Sequence, residues 1–148
     1  MLLQLVRRDL PADEREMKIR VDKKDTVFSK LIRLRARFNC EKCGRYFPHG
    51  HGLQCSHFFS RRHQSTRYDP DNAAAHCFGC HQRLGANPIE FTAWIKSYLG
   101  DVRYEALQLR HRQIVKRTKA DAEGLYQHLK NELKALEANP EHWVVGYD

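Results

Sequence analysis

Cys77-Phe78-Gly79-Cys80-His81 is the stretch on which the fold turns. Two thiols three positions apart, in a turn that carries glycine, aim both sulfurs at one point, and Cys40-Glu41-Lys42-Cys43, followed by Gly44, repeats the arrangement. Together Cys40, Cys43, Cys77 and Cys80 make a closed tetrahedral thiolate shell, which describes a structural metal, and zinc suits four soft sulfurs. A lone CxxC can also be a redox pair, but two occur here and neither lies in a βαβ pattern. Segment 44–76 is longer than a minimal zinc ribbon needs, so further structure is inserted between the knuckles. Cys55 is the fifth cysteine and reads as a small buried apolar residue.

Inside the insertion, Leu53-Gln-Cys-Ser-His-Phe-Phe-Ser-Arg-Arg62 reads as a strand, with Cys55 and His57 on one face. That face meets either a second metal corner, with Cys55 and His57 as ligands, or a reacting group, with His57 as the base that activates water. Arg61, Arg62, His63, Arg67 and Asn72 follow, and Asp69-Pro70-Asp71 reads as a turn. His49 and His51 are expected in an exposed glycine-bearing loop, and His76 as a structural residue.

Working outward, Asp25 is a candidate N-cap for a basic amphipathic helix whose apolar face is Val27, Phe28, Leu31, Ile32 and Leu34. Arg33 and Arg37 would share a face of it. Before it, 1–24 is expected to be an N-terminal arm, with Met17–Asp22 alternating like a half-buried strand. Asn87-Pro88-Ile89-Glu90 starts a helix that Gly100 closes, and another starts near Asp101. A long helix over Thr118–Glu137 carries Ala122, Leu125, Tyr126, Leu129, Leu133 and Leu136 on one stripe, expected to pack within the chain. The organisation is thus an arm at 1–24, a metal-stapled core with its leading helix at 25–100, and a helical extension at 101–148. The fold class is α+β, mostly helical in the C-terminal half.

The chain has 148 residues, enough for one compact domain with a core. Its 26 Lys+Arg against 18 Asp+Glu give a net charge of +8, which favours a polyanionic partner such as nucleic acid. No apolar run reaches the roughly 18 residues that span a bilayer, so no membrane partner is expected. MLLQLV runs into Arg7-Arg8-Asp9 without a cleavage pattern, so a cytoplasmic location with reduced cysteines is expected.

The order His57, Asn72, Cys77-x-x-Cys80-His81 resembles the HNH, or His-Me finger, nucleases of the zinc-stapled, endonuclease VII-like kind. From Asp25 onward, FSKLIRLR, CEKCG, SHFFSR, TRYDPDN and CFGCHQRLG resemble the phage NinG/Rap recombination-protein family. The resemblance implies a ββα-metal core and a structure-specific endonuclease acting on branched intermediates such as Holliday junctions and D-loops, in a bacterial host cytoplasm. It implies His57 as general base, Asn72 as brace of the loop that aims it, and His81 as ligand of a catalytic Mg²⁺ or Mn²⁺. Arg61, Arg62, Arg67, Arg33 and Arg37 would contact DNA phosphates. Cutting two strands implies a homodimer. Where many HNH domains place an acidic or histidine ligand before the base, this chain has Ser56, and Asp69, Asp71 or His63 are candidates to replace it. A non-catalytic zinc-stabilised DNA-binding protein and a general HNH nickase are the competing expectations.

Overall fold

The computed structural model describes residues 20–148; the expected arm lies outside the described residues except at its end, and Arg20, Val21 and Asp22 are in neither helix nor strand. Helix α1 spans Lys23–Arg35 and so begins before Asp25. Its N-cap is Asp22, whose side chain accepts from the Lys24 and Asp25 amides, while the Asp25 carboxylate accepts from the Asp22 amide. Asp25 is thus the third helical residue of a capping box rather than the cap. The helix faces inward through Phe28, Leu31 and Ile32, all essentially fully buried.

After Ala36, Arg37 and Phe38 adopt left-handed backbone with φ of 51° and 60°. Arg37 has therefore left the helix and shares no face with Arg33, because the chain must reverse here to deliver Cys40 to the first knuckle. Strands β1 (Leu53–His57) and β2 (Ala73–Cys77) pair antiparallel, Leu53 opposite Cys77 and His57 opposite Ala73. Alternation sends Leu53, Cys55, Ala73 and Ala75 onto α1. Ser56, Ala74 and His76 face the other way and are buried there.

Helices α2 (Phe78–Ala86), α3 (Pro88–Leu99), α4 (Asp101–His111) and α5 (Lys119–Ala138) complete a mixed helix-and-strand, α+β architecture. Gly100, at φ 77°, makes the break between α3 and α4. Asn87 precedes α3 as expected, but its side chain makes no capping hydrogen bond. Thr118 and Asp121 form a capping box for α5, whose Leu125, Leu129 and Leu136 are buried in the same core as α1 and the hairpin. The C-terminal segment folds back over α5: buried Glu132 accepts from the Val145 amide at 3.0 Å and Val144 is buried. A second core joins Ile95 and Leu99 of α3 to Tyr104 and Leu107 of α4, with Phe58 and Phe59 against it. No helix among the described residues is long and apolar enough to cross a membrane.

Candidate metal centre and active site

Cys40, Cys43, Cys77 and Cys80 converge, with sulfur atoms all within 4.8 Å of one another. Such a cluster can hold a structural metal such as zinc. The first knuckle closes through the Gly44 amide donating to the Cys40 carbonyl, with Gly44 at φ 77°. The second sits where β2 runs into α2. Glu41 fastens the first knuckle to β2: its amide donates to the Ala75 carbonyl, and its carboxylate accepts from the Ala75 amide, each at 2.8 Å. Tyr98 of α3 donates to the other Glu41 oxygen at 2.6 Å. Burial raises the Cys40 thiol, but backbone N–H groups of Cys43, Cys77 and Lys42 outweigh it and bring the thiol down to about 7, toward the thiolate a metal requires.

His57 ends β1, with its ring against Phe28 at 5.7 Å between centroids. Its Nε2 lies 3.0 Å from the Arg67 carbonyl oxygen. A carbonyl only accepts, so Nε2 carries the proton and Nδ1 presents a lone pair. Burial pushes the His57 imidazolium down to about 4, which keeps the ring neutral at physiological pH. Cys55, on the same face, has its thiol pushed up to about 12 by burial and lies outside the four-sulfur cluster. Among the described residues Cys55 and His57 join no group of metal-ligating side chains.

Asn72 is fully buried just before β2. Its Oδ1 accepts from the Phe59 amide at 2.8 Å, and its Nδ2 donates to the Phe59 and Thr66 carbonyls, each at 3.0 Å. One side chain thereby ties both ends of segment 59–66 to the start of β2. His81, in the first turns of α2, crosses the far face of the hairpin, and its Nδ1 lies 2.6 Å from the Ser56 hydroxyl. With Nδ1 engaged, Nε2 is the nitrogen left to meet a ligand. Asp69 and Asp71 are engaged by arginines of α4. Arg110 binds Asp69 at 2.6 Å and Asp71 at 3.1 Å, and Arg103 binds Asp71 at 2.6 Å, so both carboxylates hold α4 against the turn at Pro70. His63 packs edge-on to His111, which stacks on Phe59 at 3.6 Å.

The expected basic rim divides. Arg67 is buried at 8% exposure, and its guanidinium forks onto Asp25 with contacts of 3.0 and 2.5 Å. It is an internal ion pair and does not belong to a phosphate-contacting surface. Arg35 is likewise internal, donating to the Pro70 and Ala73 carbonyls. Arg33 donates to Ser29, and exposed Arg37 pairs with Glu141. Arg61 and Arg62 make no ion pair with any described residue. Arg117 donates to the Gln64 carbonyl, which brings the 110–119 basic stretch beside the Arg61–Arg62 loop. Sequence reasoning missed Asp25 as the partner of Arg67 and Glu41 as a knuckle clamp; both act over long separations that no local spacing announces.

No family model, curated protein or solved structure matches this chain.

Proposed function

We propose that the protein is a metal-dependent DNA endonuclease of the HNH kind, with β1, β2 and α2 as a zinc-stapled ββα-metal unit. The substrate would be branched or otherwise distorted DNA, as the NinG/Rap-like motif order implies. The observation that carries this reading is the geometry of His57: Nε2 is tied to the Arg67 carbonyl, which leaves Nδ1 as the lone-pair nitrogen, at a strand end braced by Asn72.

Nδ1 of His57 takes a proton from water, the hydroxide attacks phosphorus, and the phosphorus–oxygen bond to the 3′ oxygen breaks, with that oxygen leaving to be protonated by solvent. Asn72 fixes the approach of the loop beyond His57, so the base does not have to be ordered during reaction. Arg61 and Arg62 neutralise neighbouring phosphates without reading bases, so recognition rests on DNA shape. His81, with Nδ1 at Ser56, offers Nε2 to a divalent ion. A bound Mg²⁺ or Mn²⁺ supplies Lewis-acid stabilisation of the phosphoryl oxygens. One imidazole without a carboxylate suits a loosely held ion and favours Mn²⁺ over Mg²⁺.

The test is incubation with Mg²⁺ or Mn²⁺ and linear duplex, nicked, D-loop and four-way-junction DNA. Cleavage of branched forms, lost by at least about 10²-fold in His57→Ala with DNA binding retained, is the expected result. Binding without cleavage in either ion would replace the enzyme by a DNA-binding protein, and equal cutting of every form would remove the preference for branches. The junction reading also requires two copies of the chain on one DNA. The apolar stripe of α5 is already buried on α1, so any dimer must use another surface.

A further inference from the structure

Arg67, expected on a phosphate-contacting rim, is instead paired internally with Asp25, and its own carbonyl meets His57. We infer that the buried Asp25–Arg67 ion pair is a positioning device for His57: it fixes the Arg67 carbonyl opposite Nε2 and thereby assigns the base function to Nδ1. The inference rests on the proposed role of His57.

His57 takes its proton arrangement from one acceptor, the carbonyl of residue 67. That carbonyl is held from both sides, because Asn72 grips the preceding carbonyl of Thr66 while the Arg67 side chain is forked onto Asp25 and also donates to the Arg20 carbonyl at 2.8 Å. Asp25 in turn has both carboxylate oxygens engaged. It is buried at 6% exposure, and its carboxylate closes the capping box of α1 on the Asp22 amide. The same helix presses Phe28 against the His57 ring. Thus α1 governs both the ring's face and its Nε2 partner, across 42 residues of sequence.

A buried ion pair is a poor way to gain stability, since desolvating two charges offsets most of their attraction. What the fork does supply is a fixed distance and direction, which a hydrophobic contact in the same place does not.

The experiment uses the full-length, metal-replete protein carrying the paired substitution Asp25→Leu/Arg67→Met, which removes both charges and leaves neither unpaired. Two quantities are read: the tautomer of His57 from its ring ¹⁵N shifts, and kcat and KM on the best-cleaved DNA. The expected result is a folded protein in which His57 shows mixed tautomers and kcat falls about 10- to 100-fold while KM changes little, as misplacement by about 1 Å does. Arg67→Lys, which keeps the charge but not the fork, should fall between this variant and wild type. A folded paired variant with His57 wholly in the Nε2–H form and wild-type kcat overturns the inference. Should the paired variant not fold, Arg67→Lys decides by the same two readings. If the unmodified protein cuts no DNA, the nuclease reading fails while the tautomer measurement still judges the positioning role.

Discussion

At the scale of single residues, the candidate site is defined by which atoms are already spoken for. The Arg67 carbonyl occupies Nε2 of His57, and burial holds its conjugate acid near 4 against an ordinary value of about 6.5. A general base must be unprotonated to act, and a depressed value keeps His57, the proposed base, so down to lower pH. The acid limb of kcat/KM on branched DNA should therefore lie about pH 4 to 5, with activity retained through pH 6. A pH–rate profile at constant ionic strength measures it, and a half-maximum near 6.5 would show a solvent-exposed base instead. Strand alternation put His57 on one face with Cys55, and the strand Leu53–His57 is present; Asn72 and His81 were singled out by the motif order of the resemblance, and their roles belong to the proposed function. Arg67 was misjudged because a basic residue in an arginine-rich loop looks solvated until its carboxylate is found. That carboxylate, Asp25, sits in a helix whose local pattern accounts for it as a cap, so nothing in the sequence asks for a second partner.

At the scale of elements, helices were legible wherever one face repeats at helical spacing, as with Phe28, Leu31 and Ile32 or Leu125, Leu129 and Leu136. Their ends were less so. Helix α1 stops at Arg35 although Arg37 continues the basic pattern, because the backbone there turns left-handed to feed the first knuckle. The Arg37 amide donates to the Leu34 carbonyl and the Phe38 amide to the Arg33 carbonyl, the hydrogen bonding of a helix terminus that glycine usually occupies. Glycine has no Cβ to strain at φ 51°. Arg37→Gly should therefore raise stability by about 0.5 to 1 kcal/mol, after loss of a surface ion pair with Glu141 worth little. Thermal or urea unfolding reads this directly. A drop in stability would mean that the Arg37 side chain contributes more than its backbone costs. On DNA the same variant should lose affinity only modestly, since Arg37 lies apart from the Arg61–Arg62 loop in sequence and is already paired.

At the scale of the whole molecule, two cores meet at the hairpin. One joins α1 and α5 across Leu31, Ile32, Leu125 and Leu129; the other joins α3 to α4. The four cysteines lie on the segments that connect them, since the first knuckle follows α1 and the second leads from β2 into α2. Glu41 and Tyr98 reinforce the same junction. A metal there would order the hairpin, and with it His57, Asn72 and His81, while leaving the α1–α5 packing largely to its own apolar contacts. Structural zinc contributes on the order of 10 kcal/mol in small domains, which exceeds what a two-stranded sheet can supply for itself. Elemental analysis should find one zinc per chain. Removing it with a strong chelator, or substituting Cys43→Ser together with Cys80→Ser, should abolish hydrogen-exchange protection in β1, β2 and α2 before that in α1 and α5 is lost. If the protein is the proposed nuclease, cleavage should disappear with the first transition, even with Mn²⁺ in excess, because the proposed base and its brace are carried by the hairpin. If the zinc-free protein keeps full protection at β1 and β2, the fold is held there by Glu41, Asn72 and the alanine-lined strand packing alone, and the cysteine cluster is not its staple.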